Sequence, residues 1–222
     1  MYKRQIELLI QIQSIKHRKV KNFRNQNYII PKYDKKILIN EANLFCDWYA
    51  KNNLSKLRKK RFCKKFIKII KELTLKLKLK DNIFVHRDFH VSNLMSVKNQ
   101  IGLIDSQDAL IGNKAYDLAS LIDDVRLKTS NSFKDKIFKL YIKKQKKLDI
   151  KKFKNDFEIL SVLRNLKIIG IFTRLALRDR KKNYLRFIPY TWQLINMRID
   201  QNRTFIDCLL YTSDAADDET SV

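Results

Sequence analysis

The spacing of apolar residues changes several times along the chain, and each change marks an element. Ile6, Leu8, Leu9, Ile10, Ile12 and Ile15 fall on a helix-like stripe. From Lys16 to Tyr33 the chain is polar and then extended. Tyr28-Ile29-Ile30 leads into Pro31, which holds its predecessor out of helical geometry. Asp34 is placed to cap a helix over about Lys35 to Lys51, with Ile37, Leu38, Glu41, Leu44, Phe45, Trp48 and Tyr49 on one face. Lys56 to about Leu77 predicts a long basic helix buried through Phe62, Phe66, Ile67, Ile70 and Leu73. Ile83 to His86 then predicts a covered strand. Leu94–Val97 and Ile101–Ile104 predict a hairpin around Lys98-Asn99-Gln100. Helices follow over Tyr116 to Arg126, with Asp117 in the first turn where the helix dipole favours a carboxylate, and over 132–147, 153–177 and 182–199. Gly170, inside the third of these four helices, costs helix stability, so close packing against another element is the expected reason for it.

The hairpin gives this pattern a chemistry. Asp88 and Asn93 lie on the loop before it, and Asp105 lies just past its second strand. A hairpin brings its two ends together, so the three residues should converge at one edge. Hard oxygen ligands that leave room for water and phosphate suit Mg²⁺. Phosphoryl transfer needs such ligands, together with a carboxylate to accept the proton of the attacking hydroxyl. His86-Arg87-Asp88 and Asn93 match the catalytic-loop spacing H-R-D-x-x-x-x-N, and Asp105 takes the place of the later metal-binding Asp. Ser106-Gln107 stands where Phe-Gly is usual.

Val85-His86-Arg87-Asp88-Phe89-His90, Asn93-Leu94-Met95, Ile104-Asp105, Gln107-Asp108-Ala109, Gly112 and Tyr116-Asp117-Leu118-Ala119-Ser120-Leu121 together resemble the aminoglycoside-phosphotransferase-like kinases. Within that superfamily the chain looks most like the bacterial anomeric kinases of N-acetylmuramate and N-acetylglucosamine, which serve cell-wall recycling. Glu41 to Tyr49 and Leu166 to Phe172, with Arg174, Arg178-Asp179 and Tyr184-Leu185, extend the likeness over about residues 6 to 200. It departs at Ser106, where Phe is usual, and at Asn113, where Pro is usual. The resemblance implies an α+β, protein-kinase-like fold, with a mainly helical large lobe and a small catalytic hairpin. It implies ATP and Mg²⁺ as cofactors and an amino sugar as substrate. Asp88 would be the base, and His90 either a contact to the transferred phosphate or a loop hydrogen bond. Asn93 and Asp105 would be metal ligands. His86, Arg87 and Asp117 would support the loop. Asp108, Trp48 and Glu41 are substrate-binding candidates, although a lone acid on an apolar face is more often a partnered structural group. An aminoglycoside, choline or homoserine acceptor, or a non-catalytic basic module on a relict kinase fold, remain alternatives.

The ends of the chain change this picture. Cys208 to Thr212 can be encoded by TGTCTCTTATACACA, and the complementary strand accounts for Met1 to Gln5. That DNA resembles a synthetic transposon end used in sequencing libraries, so residues 1–5 and 208–222 are expected to be foreign. A natural acidic tail over Asp214 to Glu219 is the alternative. Residues 6–207 would then be an incomplete large lobe, without the small lobe. The 3 glycines, Gly102, Gly112 and Gly170, leave none for an ATP phosphate-binding loop. The intact Asp88, Asn93 and Asp105 favour truncation over decay into a pseudokinase.

Setting the termini aside removes two of 48 basic and four of 23 acidic residues, which raises the formal charge of +25 to about +27. Such a charge raises nucleic acid as a partner. Lys, Ile and Asn are abundant together, as an AT-rich genome would make them, and the lysines are spread along helices, which favours solvated helix faces. Cys46 and Cys63 form no disulfide framework and no zinc spacing with His17, His86 and His90. A reduced cytoplasmic setting fits, and no apolar run approaches the length of a bilayer span.

Overall fold

The computed structural model describes residues 2–98 and 100–206, so the stretch 208–222, read above as foreign, lies outside the described residues. In chain order the elements begin with helix α1 (Tyr2–Gln13), strands β1 (Lys19–Lys21) and β2 (Asn27–Ile29), and helix α2 (Lys35–Leu44). A π-helical stretch Phe45–Ala50 follows, then α3 (Lys51–Asn53) and α4 (Lys56–Leu75). Next come β3 (Asp81–Val85), a 3-10 turn Val91–Asn93, β4 (Leu94–Val97), β5 (Gln100–Leu103) and β6 (Leu110–Asn113). The chain closes with α5 (Tyr116–Ile122), α6 (Asn131–Lys143), α7 (Ile150–Leu177), a 3-10 turn Lys182–Phe187 and α8 (Ile188–Asp200). The mainly helical α+β character agrees with the expectation. It divides into two compact units, Met1–Asp34 with Lys78–Phe157, and Lys35–Leu77 with Glu158–Val222.

The first unit is built around a strand pair that the apolar pattern predicts only by half. β3 runs antiparallel to β6, with Phe84 opposite Ile111 and Val85 opposite Leu110. The segment through Pro31 and Tyr33 adds to the same edge. Ile111 N donates to Pro31 O and Tyr33 N donates to Ile111 O, both at 2.8 Å. Tyr33 is buried edge-on against Tyr116, their ring centroids 4.9 Å apart. Gly112 makes that approach feasible, because a Cβ there would lie 2.8 Å from the Cβ of Tyr33. α1 buries Ile6 and Leu9 completely, as its stripe predicts. Gln13, at its end, is also buried and joins two distant segments. Its amide donates to Lys114 O at 2.9 Å and accepts from the Tyr141 hydroxyl at 2.6 Å. β1 and β2 pair as an exposed hairpin in a region expected only to be polar and then extended.

In the second unit the helix expected over 35–51 is α-helical only to Leu44 and then widens into the π stretch. The helix α7 meets it at that junction. A Cβ on Gly170 would lie 2.4 Å from the carbonyl carbon of Leu44 and 2.7 Å from Phe45 N. The packing anticipated at Gly170 is therefore backbone against backbone. Phe45, buried, stacks on Tyr49 and Phe66 with centroids 5.1 and 5.3 Å away, and meets the edge of Trp192 at 5.6 Å. The helix expected over 182–199 opens as a 3-10 turn and becomes α-helical at Ile188, with Pro189 in its first turn. Proline lacks the N–H that a first turn leaves unpaired anyway, so the α-helix starts there without loss.

Candidate active site

The site lies in the first unit, on the loop from His86 to Asn93. Arg87 has φ 74°, a left-handed backbone that a side chain disfavours. Asp117 holds it there. This carboxylate, fully buried in the first turn of α5, accepts from His86 N at 2.7 Å and from Arg87 N at 3.0 Å. The guanidinium of Arg87 donates to Asp108 O at 3.1 Å and lies 5.3 Å from the centroid of the Tyr33 ring. Asp117 and Arg87 are thus brought together at the start of the loop.

Two donors then converge on one carbonyl. Asp88 O accepts from His90 N and from Asn93 Nδ2, each at 3.0 Å. Asn93 N donates to His90 O at 3.0 Å, and Ile104 N donates to Asn93 O at 3.1 Å. That last bond ties the loop to the end of the hairpin. β4 and β5 pair with Leu94 opposite Leu103, so Asn93 and Ile104 meet just outside the hairpin. Asp105 follows at φ 69°, exposed, with its carboxylate accepting from the side chain of Gln107. Among the described residues, no group hydrogen-bonds the half-buried carboxylate of Asp88.

His86 and His90 are both buried. Burial lowers the pKa of His86, while the carboxylates of Asp88 and Asp105 and the carbonyls of Ile104 and Asp88 act in the opposite direction. The imidazole of His86 thus has both candidate acids near it.

A second loop-holding carboxylate is absent from the sequence reading. Asp124, buried two residues past the end of α5, accepts from Val91 N at 3.1 Å through Oδ2. Its Oδ1 accepts from Arg126 N at 3.0 Å. A third carboxylate, the buried Asp156, accepts from Lys78 N, Leu79 N and the Asn113 side chain, at 2.9, 2.8 and 2.8 Å. Asn113, one of the two departures noted above, also accepts from Ala115 N at 3.0 Å.

The chemistry of the donor set fits a metal shared with a phosphate chain. No three His, Cys, Asp or Glu residues gather into a cage among the described residues. Asn93 spends its Nδ2 on Asp88 and Asp105 spends Oδ1 on Gln107, leaving an oxygen on each. Mg²⁺ is commonly held by one or two protein oxygens, with water and phosphate supplying the rest.

The remaining candidates stand differently. The Asp108 side chain is exposed, and its carbonyl serves Arg87. Trp48 and Glu41 belong to the second unit. Trp48 is half-buried in the π stretch. Glu41 forms an ion pair with Lys167 at 3.0 Å, both side chains about six-sevenths buried, at 14% and 13% exposure. The structure therefore gives Glu41 a protein partner.

The loop thus carries Asp88, is held at its start by Asp117 on α5 and is tied to the hairpin exit through Asn93, an arrangement compatible with a phosphotransferase-type site. Residues 2–149 match the model of the phosphotransferase enzyme family, and the chain belongs to that family. It is similar to the N-acetylmuramate/N-acetylglucosamine kinase of Neisseria meningitidis serogroup B, 32% identical over 167 residues, 72% of this chain and 50% of that one. The kinase of the same description from Pseudomonas aeruginosa is 32% identical over 174 residues, 72% of this chain and 49% of that one. The chain thus spans about half the length of the curated relatives it matches. Among solved structures, a Plasmodium vivax ethanolamine kinase superposes with a TM-score of 0.38 at 13% identity, covering 89% of this chain and 70% of that one. No described helix is long and apolar enough to cross a membrane.

Proposed function

We propose that the full-length protein is an ATP- and Mg²⁺-dependent kinase that phosphorylates the anomeric hydroxyl of N-acetylmuramate or N-acetylglucosamine. One observation carries the phosphotransferase reading. The Asp88 loop and the hairpin exit are joined through Asn93, which bonds Asp88 O with its side chain and Ile104 N with its carbonyl. The acceptor itself is inferred from the N-acetylmuramate/N-acetylglucosamine kinases to which the chain is similar.

Asp88 orients the acceptor hydroxyl and takes its proton, a role that suits a carboxylate to which no donor among the described residues is committed. His90, two residues on, would contact the transferred phosphoryl group. Asn93 and Asp105 would hold Mg²⁺, which when bound neutralises charge on the nucleotide phosphates. His86, Arg87 and Asp117 keep the loop in its strained path. Asp108, Trp48 and Glu41 are the substrate-side candidates, and a free Glu41 carboxylate would first have to leave Lys167.

The test is an acceptor panel with the complete protein in a coupled ADP assay. N-acetylmuramate and N-acetylglucosamine are expected to drive ADP release and to yield an acid-labile sugar phosphate. Turnover with choline, homoserine or an aminoglycoside, and none with either sugar, would replace this acceptor assignment.

A further inference from the structure

We infer that Asp124 is a positioning residue of the catalytic loop, acting at its far end as Asp117 acts at its near end. The inference rests on the phosphotransferase reading of that loop given above. Asp117 takes the main-chain N–H groups of His86 and Arg87, and Asp124 takes that of Val91. Between these fixed points lie Asp88, Phe89 and His90. One short helix, α5, and the turn after it therefore set both ends of the segment that carries the base. The two acids are seven residues apart, which is two helical turns.

The geometry requires a carboxylate at Asp124. Oδ2 serves Val91 N, while Oδ1 serves Arg126 N at 3.0 Å and Arg126 Nη1 at 3.4 Å. Both oxygens are acceptors for different segments. An amide has one acceptor oxygen, so Asn at this position keeps the volume and must abandon one side. If Val91 is released, the His90–Asn93 turn loses its anchor, and Asn93 shifts relative to Asp88. Small misplacements of this kind cost rate far more than binding.

Asp156 supplies the internal comparison. It is equally buried, and its carboxylate accepts from Lys78 N, Leu79 N, Asn113 Nδ2 and Asn155 Nδ2, all of them outside the loop.

The experiment compares Asp124→Asn with Asp156→Asn in the full-length protein. Asp124→Asn should lower kcat about 10- to 100-fold, with KM for both substrates changed less than about twofold. Amide exchange should rise in the peptide spanning 88–96 and nowhere else. Asp156→Asn should lower the melting temperature and leave kcat of the folded enzyme unchanged. Equal kcat effects for the two variants, or unchanged exchange at 88–96, would overturn the proposal. If Asp124→Asn does not fold, the wild type decides. The Val91 amide should exchange as slowly as that of His86, and fast exchange there would sink the clamp. A wild-type protein without kinase activity would refute the functional reading, while the exchange measurement still judges the clamp.

Discussion

The side-chain amide of Asn93 donates to the main-chain carbonyl of Asp88 at 3.0 Å, across five residues of the loop. A residue placed by sequence as a metal ligand is thereby also a staple of the base. Asn93→Ala removes both functions, and Asn93→Asp replaces the donor with a second negative charge facing that carbonyl. Asn93→Asp should therefore lose kcat in the full-length enzyme even at saturating Mg²⁺. If excess Mg²⁺ fully restores its rate, the staple has no catalytic consequence.

For Asp88→Asn the expected loss is in turnover, by about 10²–10⁴-fold, the usual range for a general base. Nucleotide affinity should change little, because no bond in the loop depends on the Asp88 carboxylate. Isothermal titration of nucleotide beside steady-state kinetics separates the two. A variant that retains most of the wild-type rate would remove Asp88 from this role.

How much of this was legible in the chain depends on the range of the contact. The spacing from His86 to Asn93 is local, and a two-stranded hairpin is set by its own alternation, so the loop and β4–β5 could be read directly. β6 could not. Leu110-Ile111-Gly112-Asn113 is too short and too interrupted to signal a strand, and it exists because β3 and the Pro31–Tyr33 segment pair with it. The π stretch at Phe45–Ala50 was hidden for a related reason. It begins where the backbone of α7 touches Leu44 and Phe45, a contact that no periodicity within residues 35–51 can express. Asp124 carries no local mark, because two acids after a helix more often face solvent than a loop 33 residues away.

His86 predicts a pH response. Its folded pKa is lowered below the ordinary value of 6.5, mainly by burial. The unfolded chain therefore takes up this proton first as pH falls. The neutral ring's contribution to stability is complete above about pH 6.5 and declines below it. Melting curves between pH 8 and 5 should show that decline, and it should be shallower in His86→Gln. Identical slopes for the two proteins would assign the effect to other groups.

Gly170→Ala tests the backbone contact in the second unit. Alanine favours a helix over glycine by up to about 1 kcal/mol. Against that, its Cβ would sit 2.5 Å from Leu44 O, and forced overpacking costs about 1–3 kcal/mol. The contact is to main chain, which cannot swing away as a side-chain tip can, so the penalty should win by about 1–2 kcal/mol. Urea unfolding should show the midpoint falling. A midpoint that rises would mean that α7 yields freely at this point.

The widest effect from a single substitution outside the loop is expected at Asp156. Its buried carboxylate accepts from Lys78 N at 2.9 Å, Leu79 N at 2.8 Å, Asn113 Nδ2 at 2.8 Å and Asn155 Nδ2 at 3.0 Å. These donors come from the approach to β3, the end of β6 and α7 itself. Asp156→Ala leaves them facing a void, and each buried donor without a partner costs about 1–3 kcal/mol. Relaxation and entering water recover part of that, so the expected loss is about 3–5 kcal/mol. Asn113→Ala removes one donor from Asp156 together with the acceptor of Ala115 N, and should cost less, about 1–2 kcal/mol. The double variant should be less than additive, because the bond that Asn113 makes to Asp156 is already lost in the first. Denaturant curves for the four proteins give the coupling directly. Full additivity would show that the 2.8 Å bond between Asn113 and Asp156 contributes nothing to stability.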